Sequence, residues 1–141
     1  MNIIDILIIE DNPGDILLLK EAFKETQLHY NLHIVEDGIK ALLFLKKREN
    51  YVNVPRPDLI ILDLNLPKKS GYEILNEIKQ ERSLKKIPVL ILTISSSEED
   101  ITKSYESHAN CFIKKPVDMD KFINIVQGIA DFWFRIAKLP P

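Results

Sequence analysis

The sequence predicts an α/β protein in which helices cover both faces of a parallel sheet. Three observations carry that prediction. Short apolar runs alternate with amphipathic stretches about five times along the 141 residues, the pattern of repeated βα units. The runs at 6–9, 59–62 and 89–92 are continuously apolar, as strands buried on both faces must be. Capping residues also mark the starts of the helical stretches.

In chain order, a first strand is expected over 4–9, running into Glu10 and Asp11. Asn12, Pro13 and Asp15 then supply a cap, a proline at the first helical position and an acid in the first turn. That combination predicts a helix over 13–27. The second strand, 32–36, is mixed in polarity, which suits an edge or near-edge position. A helix over 38–48 follows, then a polar loop over 48–57 carrying Pro55 and Pro57. The third strand, 58–63, ends on Asp63. Ser70 with Glu73 three residues on predicts a capped helix over 70–82. Strand four, 87–93, ends on Thr93, and Ser96 with Glu99 repeats the capping spacing ahead of a helix over 97–107. Strand five, 110–114, runs into Lys115 and Pro116, and a last helix covers 118–137. Its stripe Phe122, Val126, Ile129, Trp133 and Ile136 reads as core. Ile123, Ile125, Phe132 and Phe134 add more apolar surface than one stripe needs, which marks a partner surface.

Composition excludes several classes. A formal net charge of −2 without a basic face argues against direct binding of nucleic acid. The one cysteine, Cys111, rules out an internal disulfide, fits a reducing compartment and is expected to be buried and inert. No apolar run approaches the roughly 18 residues of a membrane span. The start at Met1 and Asn2 lacks the basic segment of a signal peptide. A single domain over 1–141 in the cytoplasm is the expectation. His29, His33 and His108 lack ligand spacing and carry no site.

In an open parallel sheet all strands end on one rim, where ligands bind. Glu10, Asp11, Asp63, Thr93 and Lys115 therefore converge from four places in the chain. An acid after a strand alone does no more than support a helix N-terminus, for about 0.3–1 kcal/mol. Three carboxylates together differ, because a pair 4 Å apart repels by roughly 4 kcal/mol at an effective dielectric of 20. Such a cluster needs a cation or must protonate. Oxygen-only ligation suits Mg²⁺ or Mn²⁺ and not zinc. Beside such a cation Asp63 is a competent phosphoryl acceptor. Lys115 can then pair with a phosphoryl oxygen as a point charge, and Thr93 can donate a hydroxyl hydrogen bond.

Glu10-Asp11, Asp63, Thr93 and Lys115-Pro116, in this order on a βα framework, resemble the receiver domain of two-component response regulators. The resemblance covers residues 4 to about 137. It implies a flavodoxin-like, CheY-like doubly wound sheet of five strands in the order 2-1-3-4-5, with five helices. It makes Asp63 the phosphoacceptor and Thr93 and Lys115 the groups that bind the phosphoryl. Asp11, Asp63 and the backbone carbonyl of Asn65 become the Mg²⁺ ligands, with Glu10 acting through water. Thr93 and Phe112 become the switch pair, and a cis Lys115–Pro116 bond is common in the family. Finer features are similar to the regulators paired with bacterial phytochromes: the segment 10–15, the long loop before Pro57, residues 107–111 and the tail from Asp131 to Pro140. That branch implies a phytochrome-like sensor histidine kinase as partner and a homodimer. It also implies a phosphorelay switch, not an enzyme that turns over a substrate. Ile94 stands where the family has a small residue, and Lys114 doubles the lysine.

Two other classes compete. A phosphatase with an aspartyl-phosphate intermediate places an acid–base aspartate two residues after its nucleophile, where this chain has Asn65. A flavin module needs a Gly/Ser/Thr-rich loop after the first strand, where this chain has two acids.

Overall fold

The computed structural model describes residues 3–141; Met1 and Asn2, on which the signal-peptide reading begins, lie outside them. Strands β1 (Ile4–Ile9), β2 (Tyr30–Val35), β3 (Leu59–Leu62), β4 (Val89–Thr93) and β5 (Cys111–Lys114) form one sheet. Its order is β2-β1-β3-β4-β5 and every pairing is parallel. Helices α1 (Pro13–Lys24), α2 (Gly38–Leu45), α3 (Gly71–Gln80), α4 (Glu98–Glu106) and α5 (Met119–Ile129) make the crossovers and the C-terminal cover. This is the doubly wound, five-stranded fold expected from the βα alternation. The mixed second strand does lie at the sheet edge. It begins at Tyr30, two residues earlier than expected, and pairs with Ile4 onward in β1.

The alternation of side chains along each strand divides the core in two. Leu7, Ile9, Ile60, Leu62, Val89 and Ile91 face α2 and α3, where Leu42, Leu45, Ile74, Leu75 and Ile78 meet them. Ile6, Ile8, Leu59, Ile61, Leu90 and Leu92 face α1 and α5, meeting Leu19, Phe23, Phe122, Val126 and Ile129. Each such side chain contributes about 1.5–3 kcal/mol on burial. The two packed faces leave the strand ends as the place where polar groups can reach solvent.

Helix starts follow their caps. The Asn12 side chain accepts from the Asp15 amide at 3.0 Å, with Pro13 opening the helix. Ser70 accepts from the Glu73 amide at 3.3 Å. For α4 the cap is Ser97, which accepts from the Asp100 amide at 3.1 Å, and not Ser96. Ser95 turns instead to the Asp100 carboxylate at 2.5 Å, drawing the serine run one residue further before the helix begins. Asp37 and Asp118 cap α2 and α5. The loop after α2 holds a single 3₁₀ turn, Glu49–Tyr51, and Arg56 donates to the Leu45 carbonyl at 2.6 Å.

The last helix departs from the expected stripe. After Ile129 it widens into a π-helical segment, Ala130–Ile136. Wider turns shift the angular phase, so the 3.6-residue stripe does not continue through it. Phe122, Val126 and Ile129 are buried as predicted, Trp133 is half-buried, and Ile136 is 71% exposed. Ile123, Ile125 and Phe134 pack partly onto the core, leaving Phe132 half-exposed. Cys111 is half-buried, less than expected, because β5 is an edge strand; burial still pushes its thiol up from the ordinary value. Among the described residues no helix is long and apolar enough to cross a membrane, and no peptide bond is cis. Lys115–Pro116 therefore takes the trans form, the lower in energy for most X–Pro bonds.

Candidate functional site

The sheet register brings the predicted residues together. Ile9 stands beside Leu62, Leu62 beside Ile91, and Thr93 beside Lys114. The residues following these strands thus emerge on one rim. Backbone bonds fix them there: the Asp63 amide donates to the Ile9 carbonyl at 3.1 Å, the Glu10 amide to Val35 at 3.0 Å, and the Lys115 amide to Thr93 at 2.7 Å. Glu10, Asp11 and Asp63 each offer a carboxylate oxygen, and the three atoms lie within 4.8 Å of one another. Glu10 and Asp63 are buried, whereas Asp11 is open to solvent. The cluster therefore has a closed floor and an open mouth.

Lys115 is buried, and Lys114 is exposed, which separates the doubled lysines. The Lys115 Nζ lies 2.6 Å from Glu10 Oε1, 2.7 Å from Asp15 Oδ2 and 2.8 Å from Asp63 Oδ2. Burial pulls its ammonium down, but the hydrogen bonds to Asp15, Asp63 and Glu10 outweigh that and hold it above its ordinary value. Its three donors are matched by three carboxylates. Asp15 was legible in the sequence only as a first-turn acid; its reach across to the lysine of the fifth strand was not.

Glu10 responds in the opposite way. Burial pushes its carboxyl up to about 7, against the hydrogen bonds from Lys115 and from the Asn12 amide. The folded form therefore keeps a proton that the unfolded chain gives up near 4.5. Stability from this group is present in full at low pH and is lost as pH rises from about 4.5 through about 7. Thermal unfolding in EDTA should show this decline in wild type, and Glu10→Gln should remove it. Equal pH slopes for the two proteins would show that Glu10 is already ionised in the fold.

Thr93 is fully buried, and its Oγ1 has no hydrogen-bond partner among the described residues. A buried hydroxyl left unpaired is costly, and here it ends a strand on the rim that carries the carboxylates. Phe112, on β5, is half-buried against the core on the α2–α3 face, and its amide donates to the Tyr105 hydroxyl at 3.2 Å. The Asn65 amide donates to Asp63 Oδ1 at 3.2 Å, which turns the loop after β3 back over the carboxylate. Ile94 is 68% exposed, so its bulk stands in solvent and not inside the carboxylate cluster. Beyond it, Tyr72 donates to Asp100 Oδ1 at 2.5 Å, tying α3 to the start of α4. Burial, then Asp100, push the Tyr72 phenol up to about 12. His33 pairs with Asp5 at 2.9 Å away from the rim.

The family model for the response regulator receiver domain matches residues 6–127. This chain belongs to that family. It is 46% identical over 135 residues to the response regulator Rcp1 of Synechocystis sp., covering 96% of this chain and 92% of that one. The Mn²⁺-bound crystal structure of Rcp1 superposes with a TM-score of 0.92 at 45% identity, covering 97% of this chain and 99% of that chain. The phosphorylated cyanobacterial phytochrome response regulator RcpA gives a TM-score of 0.95 at 44% identity, covering 99% and 100%. A response regulator in red light signalling of R. palustris gives 0.92 at 27% identity, covering 98% and 99%.

The chain is thus a receiver domain of phosphorelay signalling, whose family acts as phosphoacceptors and not as turnover enzymes. Its all-oxygen triad fits Mg²⁺ or Mn²⁺, hard cations with carboxylate preferences. Asp11 supplies the open side through which a cation and its waters can enter.

Proposed function

We propose that residues 1–141 form one receiver domain that takes a phosphoryl group onto Asp63 from the phosphohistidine of a phytochrome-like sensor histidine kinase. One observation supports this above the rest. The buried Asp63 carboxylate sits 2.8 Å from a buried lysine ammonium, inside a carboxylate triad. Asp11, Asp63 and the Asn65 backbone carbonyl would hold the metal, with Glu10 acting through water, and the metal would supply positive charge against the phosphoryl oxygens.

Asp63 oxygen attacks phosphorus in line, and the P–N bond to the kinase imidazole breaks with its electron pair leaving on nitrogen. Lys115 exchanges its Asp63 contact for a phosphoryl oxygen. The Thr93 hydroxyl, buried and without a protein partner among the described residues, donates to a second oxygen. Movement of Thr93 toward the phosphoryl opens space for Phe112 to turn inward. The change shifts the population of arrangements across α4, β5 and α5. The half-exposed Phe132 and exposed Ile136 suit pairing with a second copy through the π-helical segment that follows α5. Output is then a protein contact, a change in dimerisation or onward phosphotransfer, in the cytoplasm.

Labelled acetyl phosphate, or a phosphorylated sensor kinase, should label wild type in Mg²⁺ and fail to label Asp63→Asn. EDTA should abolish labelling of wild type. Equal labelling of both proteins would end this reading.

A further inference from the structure

We propose that Asp15 is a positioning residue that acts through Lys115. Its carboxylate offsets the ammonium that must meet the phosphoryl group and adds to the negative charge that draws in the metal. The inference rests on the phosphoacceptor reading of Asp63.

Three facts lead to it. Asp15 Oδ2 lies 2.7 Å from Lys115 Nζ, as close as either of the buried acids. It comes from α1, the helix whose first turn starts beside Asp11, so it is fixed by the cap at Asn12 and not by the sheet. Its side chain is 22% exposed, at the rim where donor and cation approach, whereas the Lys115 side chain is only 5% exposed. Glu10 and Asp63 share in holding that lysine, at 2.6 and 2.8 Å. What Asp15 adds is a full negative charge at the mouth of the site.

That charge acts with opposite sign on the two ligands the site must take. A divalent cation is attracted by it, through a Coulomb interaction that the partial burial of Asp15 screens less than an open surface would. An incoming phosphodonor is anionic and meets a lysine whose charge is partly cancelled. Asp15 therefore strengthens metal binding and slows phosphoryl uptake once metal is bound. A residue that merely supported the fold would move both quantities in the same direction.

The test uses Asp15→Asn, which keeps the size of the side chain and a hydrogen-bond acceptor for Lys115 but removes the charge. Mn²⁺ affinity is measured by calorimetric titration without phosphodonor, and the labelling rate with acetyl phosphate at saturating Mg²⁺. The expected result is Mn²⁺ binding weaker by about threefold or more, with labelling faster by about threefold or more. Asp15→Glu, which retains the charge, should restore both values toward wild type, and thermal unfolding checks that each variant is folded. Labelling slowed or unchanged, or Mn²⁺ affinity unchanged, overturns the inference. A wild type that takes no label defeats the phosphoacceptor reading and this inference with it. A labelled wild type with any other Asp15→Asn pattern defeats this inference alone.

Discussion

Lys115→Met should destabilise the metal-free protein by about 3–5 kcal/mol, the usual consequence of removing one partner from a buried ionic group. Nζ is the cation shared by Glu10, Asp15 and Asp63, and the methionine fills similar volume without charge. Two of those carboxylates, Glu10 and Asp63, are buried, so water cannot fully replace the ammonium. Their repulsion must be relieved by movement, or by fuller proton uptake at Glu10, whose carboxyl burial already pushes up to about 7. Urea unfolding in EDTA should show the loss as a lower midpoint with little change in slope. Mg²⁺ or Mn²⁺ should return part of the stability, because a ligand that binds only the folded form stabilises it by mass action. The variant should gain more from the metal than wild type does, since its carboxylates have no other cation. A loss below about 1 kcal/mol in EDTA would mean that the carboxylates relax into solvent, against their burial.

The same residue shows how far the chain could be read without coordinates. Glu10, Asp11, Asp63, Thr93 and Lys115 were legible because each follows or ends an apolar run, and parallel topology carries all such ends to one rim. Choosing Lys115 over Lys114 from chemistry alone was harder, as both sit at the same strand end; burial separates them. Asp15 was hidden for a different reason. A first-turn acid beside a capped helix start already has a sufficient local explanation, so nothing in the sequence asks for a partner a hundred residues away. The π-helical segment was hidden too. Ala130–Ile136 carries no proline or glycine to mark the change of winding, and the resulting loss of phase decides that Ile136 points to solvent. Local grammar predicts strand ends well, and long-range side-chain partners poorly.

Gly71→Ala should unfold or loosen the site, although a glycine-to-alanine change within helices usually helps. Gly71 opens α3 and donates its amide to the Leu64 carbonyl at 2.9 Å. A Cβ at this position would meet the Asp63 carbonyl oxygen and come within 2.6 Å of the Leu64 Cα. Both obstacles are backbone, so no side chain can swing away. The strand-end segment Asp63-Leu64 must then move, and with it the carboxylate that faces Lys115 and the metal triad. Overpacking of this kind costs typically about 1–3 kcal/mol, occasionally more, and Mn²⁺ affinity should fall along with stability. Gly128, inside α5, gives the contrast: nothing lies within 4 Å of a Cβ built there. Gly128→Ala should therefore raise stability by about 0.5–1 kcal/mol through lower backbone entropy in the unfolded chain, leaving Mn²⁺ binding as it was. Paired urea unfolding and Mn²⁺ titration of the two variants separate the causes. A similar gain in both would mean that the fold accommodates a Cβ at Gly71, leaving only the helix-propensity gain of alanine over glycine. Opposite signs, with metal affinity lost only in Gly71→Ala, would show that the close approach of α3 to β3 is what holds Asp63 in register with Glu10 and Lys115.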